Sequence, residues 1–224
     1  MSFQVKDIDW SIYTVIDQEW IGDRSVESIA EGMILGGAGV IQYRDKKSEK
    51  KFFYNTVVKL RQLTNAHSVP FIVNDRIDIA IEVKADGVHL GQVDLGVDQA
   101  RKLSQGKLLV GGSVSSLSEF ENVKDADYFG IGAVYPTKTK RDAEMGGIEL
   151  IRKIRPLTDK PLIGIGGITV HNLAPVIRAG CDGIAVISAI MSRNDIEHAT
   201  RELVQKVREV RSVLCTSEDN FMHS

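Results

Sequence analysis

Charged side chains of both signs recur in this sequence in a pattern that could bind a phosphorylated ligand together with a metal ion. Arg44, Lys46 and Lys140 carry cationic groups, and such groups bind phosphate oxygens through charge-assisted hydrogen bonds. Asp75 and Asp94 follow consecutive apolar runs and could share a hard cation. Because Mg²⁺ prefers a few carboxylates with waters and substrate phosphate oxygens, the combination predicts a site for a metal-bound diphosphate.

Small residues mark a second candidate site in the last third of the chain. Gly166-Gly167 follows the apolar run LIGI, and Ser188 follows the run IAVI. Backbone N–H groups in such turns can hold a phosphate group. We therefore predict two anion sites, one metal-assisted and one lined by backbone.

Each of these signals has a simpler explanation when it stands alone. An Asn-Asp pair after a strand is often only a turn, and a single Arg or Lys is often part of a surface ion pair. His89 lies within an apolar run and is predicted to be structural, and Cys181 is predicted to pack as a small buried side chain. A functional site is favoured because cationic and acidic side chains recur together after successive apolar runs.

The elements that would position these residues alternate regularly between short apolar runs and longer amphipathic stretches. Ser48 to Thr64 has the spacing of an amphipathic helix with Ser48 as its N-cap, and Asp195 to Val213 would be the last helix. The predicted strands are Ser11 to Ile16, Val40 to Tyr43, Phe71 to Val73, Gly87 to Leu90, Leu108 to Gly111, Tyr128 to Ile131, Leu162 to Ile165 and Ile184 to Ile187. Eight such units predict a parallel α/β fold closed into a single (β/α)₈ TIM barrel.

The barrel prediction explains why the candidate residues could meet. Functional groups of this fold lie at the carboxyl ends of the strands and in the loops that follow them. The candidates named above, together with Ser113 near the end of strand five, occupy such positions after strands two to eight. We predict one catalytic domain over residues 1–215 and a polar, weakly ordered tail over residues 216–224.

Composition restricts the classes of function. The chain has 224 residues and a formal net charge of −2, which disfavours a broad nucleic-acid interface. Its two cysteines, Cys181 and Cys215, follow no metal or redox spacing. No apolar run is long enough to cross a bilayer, and the first residues lack the pattern of a signal peptide. We expect a cytoplasmic protein that acts on small molecules without a membrane or nucleic-acid partner.

Six ordered motifs make the chain resemble the thiamine phosphate synthase family over Ile12 to Met191. These motifs are QYRDK at 42–46, VNDR at 73–76, ADGVHLGQ at 85–92, YFGIGAVYPTKTK at 128–140, IGGI at 165–168 and GIAVIS at 183–188. The loop GGSVSS at 111–116 departs from the usual family pattern but retains its serine, Ser113.

The resemblance implies roles for particular residues. The residues implied to hold hydroxymethylpyrimidine diphosphate are Gln42, Tyr43, Arg44, Asp45, Lys46, Asn74, Ser113 and Lys140. Those implied to hold the thiazole phosphate are Thr137, Lys138, Thr139, Gly167, Ile187 and Ser188. Asp75 and Asp94 are implied to bind Mg²⁺. The implied activity is that of a transferase in thiamine biosynthesis, with a dissociative loss of diphosphate that Arg44, Lys46, Lys140 and Mg²⁺ would assist.

Three other interpretations stay open at this point. A thiazole tautomerase of the same barrel family would use proton transfer, for which His89 is a candidate, but would need no diphosphate site. A non-catalytic barrel could bind thiazole phosphate or thiamine phosphate without turnover. A phosphosugar isomerase or aldolase would need Lys46 or Lys138 as a Schiff-base lysine. Formation of a homo-oligomer is also left open.

Overall fold

Eight parallel strands close into a barrel in the computed structural model, which describes residues 3–137 and 147–221 and the side chains through Leu214. Each strand pairs with the next along the chain, and the last pairs with the first through Ile12↔Ile184 and Tyr13↔Ala185. The strands are β1 (Ile12–Asp17), β2 (Val40–Arg44), β3 (Phe71–Asn74), β4 (Gly87–Leu90), β5 (Leu109–Val114), β6 (Tyr128–Ile131), β7 (Leu162–Ile165) and β8 (Gly183–Val186). The predicted (β/α)₈ barrel is confirmed.

Helices follow the strands and surround the barrel. They are α1 (Val26–Leu35), α2 (Lys50–Ala66), α3 (Ile77–Glu82), α4 (Val97–Leu103), α5 (Leu117–Val123), α6 (Gly147–Ile154), α7 (Leu173–Arg178), α8 (Ser188–Met191) and α9 (Ile196–Phe221). In the described ranges, none of them is long and apolar enough to span a membrane. The last helix was expected over Asp195 to Val213, and its backbone also includes 216–221 of the predicted tail.

The prediction that α2 begins after an N-cap at Ser48 is wrong. The helix begins at Lys50, and Glu49 occupies the N-cap position. The backbone N–H groups of Lys47 and Ser48 donate to the Asp45 carboxylate at 2.9 and 3.0 Å. Asp45 therefore closes a turn between β2 and α2, and the helix starts one residue later than an N-cap at Ser48 would place it.

Alternate residues of each strand face the barrel interior and the surrounding helices, and both faces are buried. Outward side chains such as Ile41, Phe71 and Phe129 pack in a large core under the helices. A smaller core inside the barrel includes Tyr13, Ile72 and Ile163. Burial on both faces is the reason that the strands appear in the sequence as nearly continuous apolar runs.

The amino-terminal segment packs closely against two strands that lie on either side of β1. The Trp10 indole N–H donates to the Val5 carbonyl oxygen at 3.0 Å. A Cβ atom at Gly183 would lie 1.7 Å from the Trp10 carbonyl oxygen, and one at Gly39 would lie 1.8 Å from that of Asp9. Any side chain at these two positions would displace this segment, which leaves the opposite, carboxyl end of the barrel for a cavity.

Candidate functional site

A cavity of about 700 Å³ opens at the carboxyl ends of the strands. Its wall brings together eleven residues that were proposed for the site from the sequence. They are Gln42, Arg44, Lys46, Asn74, Asp75, Asp94, Ser113, Thr137, Gly167, Ile187 and Ser188. Each strand from β2 to β8, or the loop that follows it, contributes at least one of these residues. The barrel therefore explains how motifs far apart in the sequence form one site.

Two proposed residues lie away from this cavity wall. Tyr43 faces the helices, where its ring packs 5.1 Å from that of Phe53 and its hydroxyl donates to Gln18 at 2.7 Å. Asp45 is buried in the turn described above. Lys138, Thr139 and Lys140 lie outside the described residues, so their proposed roles stay predictions.

Two neighbouring carboxyl groups, those of Asp75 and Asp94, lie at the cavity wall and shift each other's pKa. Burial raises the pKa of Asp75; Lys46, which forms an ion pair with it, opposes this shift, and the contact with Asp94 adds to it. Burial also acts to raise the pKa of Asp94. The interaction with Asp75 and the hydrogen bond from the Gly91 N–H outweigh burial, so the pKa of Asp94 is lowered. The Gly91 N–H lies 2.8 Å from the Asp94 carboxylate. The two carboxyl groups therefore titrate as a pair, with the pKa of Asp75 raised and that of Asp94 lowered.

This pair provides the kind of donors that Mg²⁺ requires, though not a complete set. In the described ranges, no group of three or more His, Cys, Asp or Glu side chains could hold a metal ion. Two carboxylates beside an open cavity nevertheless fit an ion that takes its remaining ligands from water and substrate phosphate. The residues present therefore fit a shared magnesium site that the substrate completes.

Arg44 is held in the cavity wall by a residue that the sequence did not single out. Its guanidinium forms an ion pair with Asp17 at the end of β1. The Asp17 side chain is only 2% exposed, whereas that of Arg44 is 24% exposed. Asp17 also accepts a hydrogen bond from the Glu19 N–H at 3.0 Å. A buried carboxylate thus anchors the cation and leaves part of its guanidinium accessible.

A chain of polar side chains crosses the cavity on six neighbouring strands, and we call it the polar floor. Its members, in spatial order, are Asn74, Gln42, Tyr13, Tyr128, His89 and Ser113. The sequence predicted a structural His89 and did not single out Tyr13 or Tyr128. The signal available for them was the inward position of Tyr13 and Tyr128 in two strands, but near-continuous apolar runs hid that alternation.

Two glycines make room for the rings of the polar floor. A Cβ atom at Gly111 would lie 2.2 Å from the Tyr128 ring and 2.6 Å from His89 Nδ1. One at Gly130 would lie 3.2 Å from His89 Cε1. Gly111 of β5 and Gly130 of β6 occupy inward-facing positions, so the rings of His89 and Tyr128 fill the space that side chains at these two positions would take.

The opposite side of the cavity consists of small and apolar residues. Gly166 and Gly167 have φ values of +100° and +65°, a region that favours glycine. A Cβ atom at Gly167 would also lie 2.6 Å from the Pro136 carbonyl oxygen. The turn after β7 is therefore packed against the loop after β6, and with Ile187 and Ser188 it lines the wall.

Comparisons with known proteins agree with this arrangement. The family model for thiamine monophosphate synthase matches residues 12–190. A thiamine-phosphate synthase of Natronomonas pharaonis is 42% identical over 90% of this chain and 97% of its own, and one of Chloroflexus aurantiacus is 45% identical over 88% and 92%. The solved thiamine phosphate pyrophosphorylase of Pyrococcus furiosus is 37% identical, covers 90% of this chain and 97% of its own, and superposes with a TM-score of 0.83. The chain belongs to the thiamine monophosphate synthase family.

Proposed function

We propose that this chain is a thiamine phosphate synthase that joins hydroxymethylpyrimidine diphosphate to hydroxyethylthiazole phosphate. The observation that carries the proposal is one cavity with three chemically different parts: a side with cations and carboxylates, the polar floor, and a side with small residues. A diphosphate, a polar planar ring and a second phosphorylated ring would each find a matching part. The activity named for the relatives supports the same reaction.

The proposed reaction makes one bond and breaks one. The C–O bond between the pyrimidine methylene carbon and diphosphate breaks, and its electron pair leaves with the diphosphate. The thiazole nitrogen uses its lone pair to form the new C–N bond. No proton has to be removed, so the main demands are stabilisation of the leaving group and alignment of the two rings.

The cationic side of the cavity meets the first demand. Arg44, held by Asp17, would donate to diphosphate oxygens, and Lys46 would supply a second positive charge beside Asp75. Asp75 and Asp94 would hold Mg²⁺, which when bound neutralises charge on phosphate oxygens. By resemblance, Lys140 would contribute a further cation from outside the described residues.

The rest of the cavity meets the second demand. Gln42, Asn74 and Ser113 of the polar floor would hydrogen-bond the pyrimidine ring. Gly167, Ile187 and Ser188, with Thr137, would hold the thiazole phosphate, and by resemblance Lys138 and Thr139 would complete this part. Because the two parts adjoin in one cavity, the thiazole would be positioned beside the methylene carbon.

The tautomerase alternative has one observation in its favour, which is that His89 lines the cavity. It leaves the Asp75–Asp94 pair and its cations without a role. A Schiff-base mechanism at Lys46 would have to displace Asp75, whose carboxylate forms an ion pair with the Lys46 amino group. A binding protein without turnover would need the same cavity.

The test is to mix the purified protein with both substrates and Mg²⁺ and to quantify thiamine phosphate and diphosphate. We expect equal amounts of the two products, loss of both with EDTA, and recovery with added Mg²⁺. If neither product forms in a folded sample that binds both substrates, the synthase proposal fails. Isomerisation of the thiazole phosphate would then favour the tautomerase. Binding without any conversion would favour the non-catalytic binding barrel.

A further inference from the structure

Arg24, in the loop between β1 and α1, donates hydrogen bonds to two separate parts of the chain. Within its own loop, its guanidinium donates to the carbonyl oxygens of Trp20 and Ile21. Beyond β8, Nη2 donates to the Met191 carbonyl oxygen at 2.8 Å and Nη1 donates to that of Arg193 at 3.2 Å. Because a guanidinium is planar and its N–H groups point in fixed directions, it holds both parts in a defined relation to each other.

The distant part is a single helical turn, α8, whose first residues lie at the cavity. It follows β8 directly, and Ile187 and Ser188 line the cavity wall. The Met191 N–H donates to the Ile187 carbonyl oxygen at 2.8 Å, and the Ser192 hydroxyl donates to that of Ser188 at 2.7 Å. One hydrogen-bonded turn therefore connects the cavity wall to the carbonyl groups that Arg24 binds.

The near part is anchored to the barrel by contacts that do not involve Arg24. The loop after β1 begins with a 3-10 helix, Gln18–Trp20, which Asp17 caps by accepting from the Glu19 N–H at 3.0 Å. The Tyr43 hydroxyl of β2 donates to the Gln18 side chain at 2.7 Å. This loop can therefore serve as a fixed support from which Arg24 holds α8.

Apolar packing alone does not fix the position of α8. Ile190 and Met191 are buried in the large core beneath it. Such contacts are non-directional, so they allow a single turn to shift or rotate slightly. A displacement of about 1 Å is costly in a group that positions a substrate. The hydrogen bonds from Arg24 therefore determine how precisely Ser188 is placed at the cavity wall.

We propose that Arg24 is a positioning residue for the second substrate, because it holds the turn at 187–191 where Ser188 can bind the thiazole phosphate. This inference rests on the proposed function, which assigns that part of the cavity to the thiazole phosphate. Arg24 is not among the described residues that line the cavity, so its effect on a ligand passes through the turn. Arg44, in the cationic part, has its own anchor in Asp17 and should not respond.

Arg155 provides a matched control at the opposite end of β8. Its guanidinium also joins two segments, since it donates to the Lys160 carbonyl oxygen before β7 at 3.0 Å and to that of Gly180 before β8 at 3.3 Å. It also pairs with Asp182 at 2.8 Å. Arg24 and Arg155 are both half-buried. Loss of either guanidinium releases one end of the same strand, but only the end held by Arg24 leads to the cavity.

The first experiment tests the tether and needs no substrate. Hydrogen exchange, measured by mass spectrometry, compares Arg24→Met and Arg155→Met with the unmodified protein over peptides that cover 187–193. We expect about tenfold faster exchange there in Arg24→Met, as the loss of one hydrogen bond from local stability would cause, and no such change in Arg155→Met. Unchanged exchange in Arg24→Met, or an equal acceleration in both variants, overturns the proposal.

The second experiment measures the consequence for the ligands. Isothermal titration calorimetry gives the Kd for hydroxyethylthiazole phosphate and for hydroxymethylpyrimidine diphosphate in the same three proteins. We expect Arg24→Met to raise the Kd for the thiazole phosphate about tenfold, the effect of misplacing one hydrogen bond, and to leave the other Kd unchanged. Arg155→Met should change neither. A merely structural role predicts equal changes for both ligands, and that result, or no change at all, overturns the proposal.

A third variant, Arg24→Lys, separates geometry from charge and also serves should Arg24→Met not fold. Lysine keeps the positive charge but lacks the planar fork that reaches both parts of the chain. We expect its Kd for the thiazole phosphate to exceed that of the unmodified protein by at least about threefold. An unmodified Kd in folded Arg24→Lys would show that charge alone matters and would overturn the positioning role.

The outcomes distinguish this proposal from the proposed function. If the unmodified protein binds both ligands but forms no thiamine phosphate, the synthase proposal fails and the binding comparison still decides the role of Arg24. If it does not bind the thiazole phosphate, the ligand role of Arg24 fails with the proposed function, while exchange at 187–193 still decides whether the tether exists. If it forms product and Arg24→Met binds both ligands as tightly, only the Arg24 proposal fails.

Discussion

The ion pair between Asp17 and Arg44 allows the proposed diphosphate site to be tested without altering a group that would touch the substrate. In Asp17→Asn the partner of Arg44 becomes neutral, while an amide oxygen remains to accept from the Glu19 N–H. Arg44 keeps its charge but loses the anchor that orients it. We expect weaker use of the pyrimidine diphosphate and unchanged use of the thiazole phosphate.

The magnitudes follow from burial and from the number of contacts. The Asp17 side chain is 2% exposed and that of Arg44 is 24% exposed. Water can therefore replace the ion-pair partner that Arg44 loses only in part. Loss of a charged hydrogen bond then costs about 2 kcal/mol of stability, which lowers Tm by roughly 4–8 °C for a domain of this size. Ordering a freed arginine on binding costs about 0.5–1.5 kcal/mol, a fall of about 2- to 13-fold in kcat/KM.

The chain offers a matched control in the ion pair between Arg61 and Asp86. The Asp86 side chain is also 2% exposed, Arg61 is 16% exposed, and the carboxylate accepts from the Phe71 N–H at 2.9 Å. Asp86 precedes β4, at the end of the barrel opposite the cavity. Asp86→Asn should therefore cause a comparable loss of Tm without any change that is specific to one substrate.

The assay combines thermal unfolding with steady-state kinetics in which each substrate is varied in turn and diphosphate release is measured. The reasoning about Arg44 is refuted if folded Asp17→Asn has the same kcat/KM for the pyrimidine diphosphate as the unmodified protein. It is also refuted if kcat/KM falls equally for both substrates, or if Asp86→Asn produces the same substrate-specific loss.

Three further predictions address the other parts of the molecule. Lys140→Ala should lower turnover about a hundredfold, the usual effect of losing one preorganised contact to developing charge, with an unchanged Tm; near-normal turnover would exclude the role implied for this lysine. Asp75→Asn should raise the Mg²⁺ concentration needed for half-maximal activity by at least about tenfold, because it removes a carboxylate ligand, and an unchanged titration would assign Asp75 a structural role. Gly183→Ala should destabilise the fold by about 3 kcal/mol or more, because its Cβ would lie 1.7 Å from the Trp10 carbonyl oxygen. Gly96→Ala, whose Cβ would meet nothing within 4 Å, should cost less than about 1 kcal/mol in the same denaturant titration.

The sequence by itself determined the architecture and the chemical character of the site. Eight apolar runs that alternate with amphipathic stretches are enough to predict a closed parallel barrel, because strands buried on both faces and covered by helices have few other arrangements. The barrel in turn predicts that Asp75 and Asp94, which follow consecutive strands, lie at the same end. Motifs such as VNDR at 73–76 and IGGI at 165–168 are specific enough to indicate the family.

Only the tertiary structure decided which side chains in the strands face the cavity and which groups hold the functional residues. Gln42 faces the polar floor while its neighbour Tyr43 faces the helices, and two buried faces leave no polar alternation from which to tell them apart. The bond between Tyr13 and Tyr128 joins residues 115 positions apart, and Arg44 of β2 meets Asp17, its register partner on β1. Such pairings depend on barrel register and on rotamers, which are properties of the closed sheet and leave no local pattern in the chain.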